Sequence, residues 1–156
     1  MPPLQITTIN DNLFNAWALL RRTSDIMERA RNKELSGYNI NLRQAAALHL
    51  ITVLKENATP TFISRLEMRQ PHTVCHILQT MENQGLVIRR HDLDRKNKVR
   101  AALTEKGKKA YYLSQARESI HRIMSCLSPE EIEQLNILLK KLTDAGKKEF
   151  FRQNGK

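Results

Sequence analysis

Two prolines, Pro60 and Pro71, each open a short amphipathic segment, and the second segment ends at Gly85, where the hydrophobic period changes. Thr59 stands before Pro60 as an N-cap, and proline suits the first helical position because its missing N–H would have had no partner there. This predicts a helix from Pro60 to about Leu66. Gln70 and Pro71 open the next one, in which Val74, Ile77, Leu78 and Met81 fall on one face. Asn83-Gln84-Gly85 ends it, with Gly85 free to take a left-handed conformation. Beyond Gly85, residues 86–90 and 98–103 read as two strands joined by the polar run from His91 to Asn97. That run has no Asn-Gly turn, so the hairpin loop is long and its register open.

Helical periodicity covers the rest. From Asp11 onward, Leu13, Trp17, Leu20, Met27 and Ala30 mark a long first helix that stops near Gly37. Asn41 with Gln44 reads as a capping pair opening a helix through Leu54. Thr104 caps a helix expected to run to about Cys126, and Ser128-Pro129-Glu130-Glu131 is a capping box opening the last helix. The fold class is therefore mainly α with a small β-hairpin wing. A winged helix-turn-helix over 41–104 is framed by helical regions at 5–36 and 107–152. The framing helices carry apolar faces with no third layer to cover them, which predicts dimerisation through them.

Charge indicates the partner. The chain of 156 residues carries +10, and residues 89–109 hold nine lysines and arginines against three acids. Residues 59–88, by contrast, have no net charge. A basic hairpin beside a neutral helix fits double-stranded DNA, with base reading on the helix and phosphate attraction on the wing. No run approaches a membrane span, and Met1-Pro2-Pro3-Leu4-Gln5 lacks the features of a signal peptide, so a cytoplasmic location with no membrane partner is expected. Cys75 and Cys126 form no framework and are expected to be buried and structural. The sequence holds no phosphate loop, nucleophile elbow or paired-carboxylate constellation, so an enzyme is not expected, nor a cofactor. His72, Cys75 and His76 lie close together, but nothing nearby supplies a further ligand, so no metal is expected.

Four segments in order carry a resemblance: Pro71-His72-Thr73-Val74, Met81-Glu82-Asn83-Gln84-Gly85-Leu86-Val87, Asp94-Arg95-Lys96-Asn97 and Leu103-Thr104-Glu105-Lys106-Gly107. Taken together the chain resembles the multiple-antibiotic-resistance regulator (MarR) family over essentially its whole length. The resemblance implies a homodimer with interlaced first and last helices and a winged domain on each lobe. It also implies repression of nearby genes at a pseudo-palindromic operator, relieved in many members by a small aromatic or phenolic effector. Many members have a second arginine in the wing where this chain has Lys96, which leaves the wing-tip contact open between Arg95 and Lys96.

On this reading the recognition helix presents His72, Thr73, His76 and Gln79 to the major groove. Arg95 and Lys96 are the candidates for the minor groove, oriented by Asp92 or Asp94. Arg89, Arg90, Lys98 and Arg100 are candidate phosphate contacts, some of which must point away from DNA. Trp17, Tyr38, His49 and Tyr111 are candidates for lining a ligand pocket. The expected function is a dimeric, sequence-specific repressor. The alternative is a non-specific architectural DNA-binding protein, which would grip random duplex as tightly as any site.

Overall fold

In the computed structural model, residues 11–91 and 99–154 are described. The order is α1 (Asn12–Ser36), α2 (Leu42–Leu54), a 3-10 turn (Lys55–Asn57), α3 (Pro60–Leu66), α4 (Pro71–Asn83), β1 (Val87–His91), β2 (Val99–Leu103), α5 (Glu105–Ser114), α6 (Glu118–Met124) and α7 (Pro129–Asn154). The chain divides into two compact units, one reaching to Ser119 and the other beginning at Ile120. The mainly helical class with one antiparallel hairpin is as read from the sequence.

The helix starts follow the capping logic. The Asp11 carboxylate accepts from the N–H groups of Leu13 and Phe14 at 3.0 and 3.1 Å. Asn41 and Gln44 exchange side-chain and backbone bonds, each of 3.0 Å, as a complete capping box. Thr59 accepts from Phe62 N–H at 3.2 Å, and Pro60 and Pro71 occupy the first turns of α3 and α4. Side chains from four helices meet in the core: Leu35 from α1, Leu48 and Ile51 from α2, Ile63 from α3, and Val74, Leu78 and Met81 from α4. Val87, Ala101 and Ala110 close it from the hairpin and α5. Burying a side chain such as Leu48 or Leu78 contributes about 1.5–3 kcal/mol, so this cluster rather than helix propensity holds the short α3 and α4.

The hairpin pairs Val87 with Leu103, Arg89 with Ala101 and His91 with Val99. Its first strand begins one residue later than expected. Leu86 belongs to the turn, because its N–H donates back to Met81 C=O at 2.9 Å, although its C=O still accepts across the hairpin from Thr104 N–H at 3.1 Å. Gly85 has φ +71, the left-handed value read for it. Gly107 answers a different need: a Cβ there would lie 2.0 Å from the Leu86 carbonyl oxygen, so only glycine lets α5 start so close to the α4–β1 turn.

Two expectations need correction. The helix from Thr104 does not run unbroken to Cys126, since α5 ends at Ser114 and α6 starts at Glu118, with Arg117 at φ +52 between them. Arg31 of α1 donates to the Ser114 carbonyl at 2.6 Å, and Glu34 of α1 accepts from the Glu118 and Ser119 N–H groups at 3.0 Å each. Two side chains from a distant helix thus satisfy the groups that a continuous helix would have paired internally. The stop of α1 at Gly37 is as read, and the left-handed residue follows at Asn39 (φ 56). Second, Cys75 and Cys126 are exposed, not buried. Cys75 follows Val74 by one residue, and a helix turns that step about 100° away from the inward stripe.

The terminal helices expose their apolar faces in this chain. Leu13 is 84% and Trp17 57% exposed on α1. On α7, opened by the reciprocal Ser128–Glu131 cap, Ile137 is 61% and Leu138 58% exposed. No helix among the described residues is long and apolar enough to cross a membrane.

Candidate nucleic-acid interface

α4 is seated by its inward stripe and bare on the other side. Val74, Leu78 and Met81 are buried, Ile77 is half-buried, and His72, His76 and Gln79 are exposed with Thr73 half-buried beside them. Its 13 residues include no lysine or arginine. The turn leading into it is tightened by Met68 in the left-handed region (φ 50) and by Arg69 N–H donating to Ser64 C=O at 2.9 Å. The first turn of α4 therefore projects as a polar, uncharged edge held on a packed base.

The hairpin separates its arginines. Arg89 lies against Glu82 at the end of α4, with its Nε 2.7 Å and its Nη2 2.6 Å from Glu82 Oε2. The Arg89 backbone N–H also donates to Glu82 Oε1 at 3.1 Å. These bonds from the Arg89 side chain and backbone hold the Glu82 carboxyl below the usual carboxylate range. Arg100 pairs with Glu56 of the 3-10 turn at 2.6 Å. Arg90 stands directly across from Arg100, is exposed, and makes no ion pair among the described residues. Arg95, Lys96 and Lys98, with Asp92 and Asp94, lie outside the described residues. Sequence reasoning missed Glu82 and Glu56 as partners. The signal available was an acid at the end of α4, seven residues before Arg89, and nothing similar pointed to Glu56.

The four candidate pocket residues do not assemble in one place. His49 and Tyr111 stack at 6.2 Å between ring centroids, with Nδ1 3.4 Å from the tyrosine hydroxyl. Tyr111 also borders a cavity of about 410 Å³ between α2, the 3-10 turn, β2 and α5, lined by Ile51, Lys55, Ala102, Leu103 and Lys108. Tyr38 borders a different hollow of about 350 Å³ with Leu86, Lys106 and Leu113. Trp17 packs on Phe14 at 5.7 Å on the exposed face of α1.

A polar network anchors this half of the molecule. Arg31 and Glu34 form an ion pair of 2.8 Å with side chains only 7% and 12% exposed. Burial alone would push the Glu34 carboxyl up, but the Ser119 hydroxyl, the Arg31 guanidinium and the Ser119 N–H together hold it at about 2.

No family model matches the chain. It is 27% identical over 135 residues to the uncharacterised HTH-type transcriptional regulator YkoM of Bacillus subtilis (strain 168), spanning 84% of this chain and 86% of that protein. Among solved structures it is similar to the organohalide-sensing regulator RdhR in its 2,4-dichlorophenol-bound form, with TM-score 0.77 and 28% identity over 91% of this chain and 89% of that one. It is also similar to MepR of S. aureus in complex with DNA, with TM-score 0.75 and 25% identity over 86% of this chain and 99% of that one.

Proposed function

We propose, starting from a chain with the winged-helix architecture of MarR-family regulators, that it is a dimeric, sequence-specific DNA-binding repressor of nearby genes. One observation carries the reading: α4 offers a row of uncharged polar side chains on a buried apolar base, beside a hairpin that holds the basic residues. Such a helix reads base edges, and such a hairpin supplies the salt-sensitive grip. His72, Thr73, His76 and Gln79 are the readers in this proposal. Arg90, Arg95, Lys96 and Lys98 form the grip, with Asp92 or Asp94 orienting the tip. The exposed faces of α1 and α7, within 5–36 and 107–152, are the dimerisation surfaces. RdhR and MepR support the reading, the first as a ligand-binding and the second as a DNA-bound relative.

Relief by a small aromatic effector is the second part of the proposal. The cavity of about 410 Å³ beside Tyr111 is of a size that suits a small molecule. Its apolar wall (Ile51, Ala101, Leu103) with Lys55 and Lys108 at the edge suits a phenol or aromatic acid. Ligand there would press on β2 and α5 together.

The test is a titration of DNA from upstream of the protein's own gene, with random duplex as competitor, at two salt concentrations. Preference for the upstream fragment by well over tenfold is the expected result. Equal binding to both, lost together as salt rises, refutes the specific repressor and leaves the architectural alternative.

A further inference from the structure

One rung of the hairpin is held on both of its edges. Arg89 and Ala101 face each other across β1 and β2, and both of their N–H groups point out of the hairpin. The Ala101 N–H donates to the Ala58 carbonyl at 2.9 Å, and the Arg89 N–H donates to Glu82 Oε1 at 3.1 Å. Outward N–H groups of a two-stranded ribbon are ordinarily left to water. Here the body of the domain captures one on each edge, the β2 side by backbone and the β1 side by one carboxylate. The same carboxylate binds the Arg89 guanidinium through two nitrogens, at 2.7 and 2.6 Å. Glu82 follows Gln79 by three positions, so it stands beside that exposed side chain on the same side of α4.

We propose that Glu82 is a positioning residue for DNA recognition, which fixes the wing at a set angle to α4 by holding Arg89 at this rung. Arg89 is thereby a structural cation, and Arg90 on the opposite face is the one that meets phosphate. The proposal rests on the DNA-binding reading above. An exposed ion pair adds little stability, but this one sets a direction. On β1, Arg90 and His91 follow directly after this rung, while Arg100 on β2 has its own tie to Glu56.

Two forces oppose each other at Glu82, which gives the test its sign. Removing an acid next to bound DNA tightens binding by electrostatics alone. Losing the clamp weakens it. The expected order of affinity for the upstream fragment is wild type, then Glu82→Gln, which keeps an acceptor for the Arg89 N–H, then Glu82→Ala, with the last weaker by threefold or more. Arg89→Ala is expected to weaken binding while leaving the slope of log K against log salt unchanged. Arg90→Ala is expected to lower that slope by about 1, as loss of a phosphate contact does. Equal or tighter binding by Glu82→Ala, or a drop in slope for Arg89→Ala, overturns the assignment.

If wild type prefers its upstream DNA no more than random duplex, the specific-regulator reading fails, while the order and slopes on random duplex still judge the clamp. If it binds no DNA at all, hydrogen exchange at the Arg89 amide decides. Protection in wild type that is lost in Glu82→Ala supports the clamp, and an unprotected wild-type amide overturns it. Glu82→Gln keeps each comparison available should Glu82→Ala fail to fold.

Discussion

Replacing Glu34 tests whether a buried ion pair, rather than helix propensity, sets the junction between α5 and α6. In Glu34→Ala, Arg31 keeps its 2.6 Å bond to the Ser114 carbonyl but loses its counter-charge, and the Glu118 and Ser119 N–H groups lose their acceptor. Breaking a buried pair by removing one partner costs about 3–5 kcal/mol, and the lost cap, about 1 kcal/mol when it is separable, overlaps with that figure. Glu34→Gln keeps an acceptor oxygen without the charge and is expected to cost about 1.5–3 kcal/mol. The acid side gives a second reading. Folding lowers the Glu34 carboxyl from 4.5 to about 2, so its stabilisation is complete above 4.5 and disappears as pH falls through about 2. That difference corresponds to at most about 3.4 kcal/mol, and roughly 2 after screening by the solvent that still reaches the pair. The assay is urea unfolding at fixed protomer concentration over pH 2 to 7, for wild type and both variants. Wild type is expected to lose stability between pH 5 and 2 more steeply than Glu34→Gln. A cost below about 1 kcal/mol for Glu34→Ala, together with parallel acid slopes, would falsify the account of the junction.

Other perturbations test separate parts. Gly107→Ala places a methyl group 2.0 Å from the Leu86 oxygen; a loss of about 3 kcal/mol is expected, and an unchanged melting temperature refutes the rigidity of that approach. Gly85→Ala meets no atom within 4 Å but must hold φ +71, so it is expected to cost about 1–2 kcal/mol in urea unfolding through backbone strain alone. Gln79→Ala is expected to flatten base preference in a selection from randomised duplexes more than it lowers overall affinity; a uniform loss across sequences places Gln79 on the backbone. Ala102→Leu narrows the cavity beside Tyr111 and is expected to abolish release of DNA by phenolic ligands while leaving DNA affinity intact, as read by competition titration.

The fold was legible where one short segment carried its own signal. Thr59-Pro60, Asn41 with Gln44, and Ser128 with Glu131 are local hydrogen-bond programmes, and each starts a helix where its residues say. Val74, Leu78 and Met81 announced the inner face of α4 by spacing alone. The α5–α6 break was not legible, because its cause sits 80 residues or more away on α1, and no local propensity records a partner at that distance. The site divided in the same way. The outward row on α4 followed from periodicity. The fate of each arginine on the hairpin depended on Glu82 and Glu56, which face the strands only once the register is fixed. Cys75 was misread because residue type was weighed above its place on the helix wheel.

The seam between α5 and the end of α4 has little mechanical play. Thr104 Oγ1 donates to the Gly85 carbonyl at 2.6 Å, Lys106 Nζ donates to the Gln84 carbonyl at 2.7 Å, and Gly107 lies flush against Leu86. A hinge needs a spacer that stretches or a side chain that swings aside, and at the point of closest approach there is only main chain against main chain. A push delivered to α5 is therefore carried whole into the turn that follows the exposed helix, as through a welded bracket. The two ends of that bracket share one displacement, whichever end receives it first.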